Sequence, residues 1–198
     1  RGGADPMPRR TGYTLLELIL AIGLIASTST AFAQSSGPDK LASLQHALLA
    51  YDAAPDARAL ERAAGALGAS EALMALHGDD SRPDIVRVRA LDGLGHFPGL
   101  KARGYLHRLV RAQDTPLAHR IHAGTALVFA YGAGALASVR PLVLDAKSDH
   151  TLRVALADAL VRYAGNGGRA LVREAAASGD RTLRRVLSPD EVATPSIR

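Results

Sequence analysis

Three stretches decide how this chain is read: Arg87-Val88-Arg89-Ala90-Leu91-Asp92-Gly93-Leu94, Arg120-Ile121-His122-Ala123-Gly124-Thr125-Ala126-Leu127 and Arg153-Val154-Ala155-Leu156-Ala157-Asp158-Ala159-Leu160. Written under one another they stay in register, and the offset is 33 both times. Arginine heads each line, Val, Ile and Val follow, and Leu94, Leu127 and Leu160 close it. The same offset aligns Leu106, Val139 and Val172, and Ala102 with Ala135. Two separate blocks held in register without an insertion mark an internal repeat, and a period of this size belongs to stacked supersecondary units.

Within one unit the apolar positions fall at helical spacing. Val88, Leu91 and Leu94 share one face, and Leu106, Leu109 and Val110 share the next. Between the two runs lie Gly95–Gly99 with Pro98, Tyr131–Gly134 in the second unit, and Gly165–Gly168 in the third. Glycine accepts the left-handed conformation at a helix end, so these segments read as stops. The unit is predicted to be helix–turn–helix, with Gly165-Asn166-Gly167-Gly168 as a turn between helices. Asp114-Thr115-Pro116 and Ser148-Asp149-His150 supply caps for the next first helix, with Pro116 where a missing N–H costs nothing. Pro141 falls early in its helix on the same reasoning.

Outside the three units the pattern loosens, as expected of end units that face water on one side. Arg62–Gly68 echoes Arg89–Gly95 at an offset of 27, and Thr182–Val186 echoes Thr151–Ala155 at 31. Asp39–Tyr51 reads as a capping helix with Leu41, Leu44 and Leu48 on one face. Composition agrees with packed helices. Of 198 residues 47% are hydrophobic but only 4% aromatic, with no Trp, which suits Ala/Leu-rich helices better than a sandwich or barrel. The net charge of +5 is mild for this length, and no nucleic-acid partner is expected. The chain has no cysteine, which excludes disulfides, thiolate zinc sites and a cysteine nucleophile.

Leu106-His107-Arg108-Leu109-Val110-Arg111-Ala112-Gln113-Asp114 with Arg120, and Pro141-Leu142-Val143-Leu144 with Asp149 and Arg153, resemble HEAT repeats. They are most similar to the short bacterial HEAT-like, or PBS-lyase-type, class, and the similarity runs over about residues 56–187. The resemblance implies an all-α fold: a short right-handed α–α superhelix, or HEAT-like solenoid, of roughly four helical pairs. It also implies a non-enzymatic scaffold whose concave second-helix face grips a protein or peptide. A bilin lyase is a further member of that class of folds, but cysteine is absent and nothing here marks a bilin site. The His-Glu dipeptides of HEAT-like di-iron hydroxylases are missing as well.

Residues 1–33 read as an apolar export leader, and residues 34–198 as the repeat domain. Met7 reads as the initiator. Arg9 and Arg10 precede an apolar run, Leu18–Ala26, and Ala31-Phe32-Ala33 ends in small residues before Gln34, the three parts of a secretory signal. On the same residues, Gly12-Tyr13-Thr14-Leu15-Leu16-Glu17 resembles the cleavage site of type IV prepilins, with Gly12 before the cut and Glu17 five positions on. That resemblance implies a prepilin-like or secretion-machinery subunit anchored by its amino-terminal helix. Either reading exports the body to the periplasm or cell envelope, with membrane contact through residues 12–33.

No catalytic, metal or cofactor residues are predicted. His119 and His122, three apart, share a helix face, yet no carboxylate stands at ligand spacing, and both read as solvated side chains. Arg87, Arg120 and Arg153 form a column with two readings. They form a ladder between units through turn acids such as Asp114 and Asp149, or a face for an acidic partner. Tyr105, Tyr131 and Tyr163 read as inter-helix packing.

Overall fold

Pro83, Pro116 and Asp149 stand one repeat period apart, and each is the residue from which a helix begins. The two prolines sit in extended backbone just outside the helix, where their missing N–H is lost to no helical bond. Asp149 does the same work with its side chain, Oδ1 accepting from the Leu152 amide at 3.1 Å. A computed structural model describes residues 37–49, 56–65 and 68–187, with side chains from residue 41 onward. Gly12, Glu17, Ala31 and Ala33, and with them the leader, lie outside the described residues.

The helices are α1 Gly37–Leu49, α2 Ala57–Ala64, α3 Ala69–Gly78, α4 Asp84–Leu94, α5 Leu100–Arg111, α6 Leu117–Tyr131, α7 Leu136–Leu144, α8 His150–Tyr163, α9 Gly165–Ala176 and α10 Arg181–Leu187. A 3₁₀ turn, Gly132–Ala135, joins α6 to α7, and no strand occurs among the described residues. The fold is all-α. Lys40–Arg198 forms one compact unit and Arg1–Asp39 another, of which the first turn of α1 is described.

The first helices α4, α6, α8 and α10 pack each on the next. On them lie α3, α5, α7 and α9, each against the first helix that follows it. The period-33 columns are the core: Leu94, Leu127 and Leu160 are fully buried, as are Leu106, Val139 and Val172, and Ala102 and Ala135. Burying one such leucine contributes about 1.5–3 kcal/mol.

Three expectations are corrected. The pairs α3–α4 and α5–α6, which flank Asp/Pro turns, pack side by side more closely than the helices joined by Gly95–Gly99 or by Tyr131–Gly134. Only where the link is shortest, the single residue Ala164 before Gly165 opens α9, do the helices on either side of a glycine stop also pack well. Gly165–Gly168 is not itself a turn between helices. Gly165, at φ +59°, makes the turn, and the run then forms the first turn of α9. Gly168 is buried there so tightly that a Cβ would fall on the Leu160 carbonyl oxygen and 2.7 Å from Ala164 Cβ. Pro141 is the sixth residue of α7, not near its start, preceded by the 3₁₀ turn.

Leu117–Leu144, with mean hydropathy 1.6, is long and apolar enough by length and composition to cross a membrane. The 3₁₀ turn divides it, and Leu127, Val128, Val139 and Val143 are fully buried in the core. Core helices have this composition.

Candidate functional site

Each arginine of the repeat column stands four positions after the residue that starts its helix, so its side chain lies over the end of the preceding helix. Carbonyls there have no intrahelical partner and carry the negative end of the helix dipole. Arg87 Nε donates to the His77 carbonyl at 3.0 Å, Arg120 Nε to Val110 at 3.3 Å, and Arg153 Nε to Val143 at 3.2 Å. The sequence separation of the partners is 10 every time. The carbonyl partners are therefore helix ends, not Asp114 or Asp149; Asp149 caps α8 instead. Arg184 makes a further rung, Nε to the Ala176 carbonyl at 3.4 Å. The echo of Thr182–Val186 at offset 31 already aligned Arg184 with Arg153, but the shifted register kept it out of the column.

Two rungs also reach acids. Arg87 meets the exposed Asp80 at 2.7 Å, a solvent-screened pair worth little. Arg153, 6% exposed, lies 3.3 Å from the largely buried Asp180. Burial pushes the Asp180 carboxyl up, but the Leu183 and Thr182 amides with the Arg153 and His150 charges outweigh it and hold it below the usual range.

The histidines depart furthest from expectation. His119 is 1% exposed and His77 4%, so His119 is a core residue, not a solvated one. Its Nε2 is 2.7 Å from Asp84 Oδ1, its Nδ1 is 3.0 Å from His77 Nε2, and His77 Nδ1 is 2.6 Å from the Tyr105 hydroxyl. The bond from His119 holds the Asp84 carboxyl below its ordinary range, so Asp84 is an acceptor only. His119 Nε2–H therefore donates to Asp84, and the His119–His77 and His77–Tyr105 contacts continue the chain from it. Burial, then the neighbouring His119 and Arg87, lower His77 to about 4 against the opposing pull of Asp80 and Asp84. Burial also raises the Tyr105 hydroxyl. The four groups satisfy one another, and no buried side-chain polar atom among the described residues lacks a partner.

A signal for this chain did exist in the sequence. His119 shares its column with Val86 and Leu152, and His77 shares its column with Val110 and Val143, all of them buried. A histidine standing where other units place Val or Leu is a core histidine.

His122 faces another way. Its Nδ1 is 2.7 Å from Asp92 Oδ1, both side chains are about half exposed, and that bond raises the His122 pKa. It is a paired group, not a solvated one, and it shares no partner with His119. Among the described residues no group of three or more His, Cys, Asp or Glu is placed to hold a metal.

Beside Asp92 opens a hollow of about 290 Å³ lined by Asp92, His96, Thr125, Ala126, Phe129 and Tyr163. The rings run edge to face along it: His96 to Phe129 at 5.2 Å and 75°, and Phe129 to Tyr163 at 5.2 Å and 84°. Phe129 is 42% exposed and Tyr163 47%. Tyr105 and Tyr131 are structural. Tyr131 donates its hydroxyl proton to the Gly99 carbonyl at 2.8 Å and accepts from the Gly99 amide at 3.0 Å, tying one unit to the next. The hollow lies on the first helices α4, α6 and α8, not on the second helices where the gripping face was expected.

No family model, no curated protein and no solved structure matches the chain. The function therefore rests on the geometry and on the resemblances carried by the sequence.

Proposed function

We propose that this chain is a non-enzymatic protein-interaction module of the bacterial cell envelope, a HEAT-like right-handed solenoid that holds a protein or peptide partner. One observation carries the reading: two aromatic rings, Phe129 and Tyr163, stand about half exposed in an open hollow on successive first helices. Exposed large apolar groups gathered at one place on a surface are the mark of an interaction site. The polar chemistry that would suit an enzyme is spent elsewhere, since Tyr105, His77, His119 and Asp84 are closed on one another and the arginines hold helix ends. The solenoid reading is supported by the repeating arginine rungs and by first helices that pack in series. Placement in the envelope rests on the leader pattern of residues 1–33, and the prepilin-like reading of Gly12 and Glu17 would keep the chain anchored there.

Gel filtration of the full chain, extracted gently from its source cells, tests the reading. The wild type should elute in an assembly well above the 20.7 kDa of the lone chain. A variant carrying Phe129→Ser with Tyr163→Ser should elute alone while still giving a cooperative melt. Elution of the wild type as a lone chain would count against an interaction module.

A further inference from the structure

The hollow is not purely apolar, and its polar edge is acidic. Asp92 stands on α4 four positions before His96, as Thr125 stands on α6 four positions before Phe129. Asp92, Thr125 and Asp158 share one period-33 column, so polar side chains run beside the aromatic row. Asp158 already holds a cation from its own helix, Arg162 Nε at 2.9 Å. Among the described residues Asp92 accepts the Nδ1–H of His122 through Oδ1, and its side chain is 42% exposed.

Phe129 and Tyr163 meet nearly at right angles, so together they present a corner of ring faces and edges to the hollow. A ring face attracts a cation through its quadrupole, and a carboxylate alongside adds direct attraction. An apolar partner side chain would leave Asp92 without a counter-charge, and an acidic one would be repelled by it. We propose that the hollow seats a basic side chain, lysine or arginine, of a partner polypeptide, its charged head against Phe129 and Tyr163 and paired with Asp92. The assignment deepens the interaction-module reading and rests on it. A peptide fits better than a free small cation because the site is open to solvent and the polar and aromatic rows continue across three successive first helices. His122 tunes the seat: when protonated it places a positive charge on Asp92 and competes with the partner.

Fluorescence anisotropy with the full chain tests this, using a labelled peptide of alternating lysine and serine and the same peptide with Nε-acetyl-lysine. Acetylation removes the charge and keeps the stem. The lysine peptide should bind about tenfold more tightly than the acetylated one. Asp92→Asn and Phe129→Leu should each erase most of that difference, and Tyr163→Leu serves if Phe129→Leu fails to fold. Glu174→Gln, which removes an acid paired with Arg140 elsewhere, should change nothing. Affinity for the lysine peptide should also fall as the pH drops through the raised titration range of His122, which its bond to Asp92 sets. Equal binding of the two peptides would overturn the cation seat and leave an apolar docking site, so the module reading would survive. Equal weakening by Glu174→Gln and Asp92→Asn would overturn it in favour of diffuse charge. Failure of the wild type to bind either peptide would overturn it as well, and the module reading would then be judged by gel filtration, which uses neither.

Discussion

Arg120 donates to the Val110 carbonyl at 3.3 Å from the middle of the arginine series, with Arg87 before it and Arg153 after it. Arg120→Ala leaves a helix-end carbonyl without its charge-assisted donor and should cost roughly 1–3 kcal/mol. Arg111→Ala, at an exposed position on α5, should cost under about 0.5 kcal/mol. Melting curves of the two variants decide it, and equal melting would return the column to a surface role. That the arginines recur was plain in the sequence. Their acceptors were not, because a backbone carbonyl leaves no trace in a sequence pattern, whereas Asp114 and Asp149 do.

His77 carries the second residue-scale prediction. Its folded value of about 4 lies below the ordinary 6.5, so between those values the unfolded chain binds a proton that the folded chain refuses. Stability is therefore whole above about pH 6.5 and declines as pH falls toward about 4, by an amount on the order of 3 kcal/mol. His122 works in the opposite sense. Its raised value gives stability that is present at acid pH and lost as pH rises through the folded value. Subtracting the pH profile of His122→Gln from that of the wild type separates the two. A flat stability profile across the acid limb in His122→Gln would show that His77 is not buried as a neutral ring.

At the scale of the element, glycine plays opposite parts in two helices. Gly104 lies exposed within α5 with nothing within 4 Å of the place an added methyl would take, so Gly104→Ala gains helix propensity and should stabilise by up to about 1 kcal/mol. Gly168 in α9 has Leu160 and Ala164 where its Cβ would go, so Gly168→Ala should destabilise by about 1–3 kcal/mol despite the same gain. Thermal melts that move in the same direction for both would contradict the packing of α8 on α9. The sequence exposed the helices themselves, since Leu94, Leu127 and Leu160 recur at a fixed period and prove fully buried. It did not expose which helices lie side by side. Glycine runs of different length look alike on paper, yet Gly95–Gly99 separates its helices and Gly165 folds them together.

For the whole molecule, repetition divides the side chains into two sets. The columns that repeat faithfully, arginine and leucine, build the stack. The departures from them bring the remaining chemistry: His77 and His119 in apolar columns, and Phe129 and Tyr163 on the first-helix face. Even the aromatic row was half visible, because His96 and Phe129 are one full period apart while Tyr163 falls one position late. The proposed partner should therefore lie along α4, α6 and α8. A photo-reactive phenylalanine analogue placed in turn at His96, Thr125 and Tyr163, and at the exposed second-helix positions Arg111 and Arg173, measures this in intact cells. A discrete cross-linked partner is expected from the first three positions and none from the last two. Cross-links from Arg111 and Arg173, with His96, Thr125 and Tyr163 silent, would contradict a partner seated on the first-helix face.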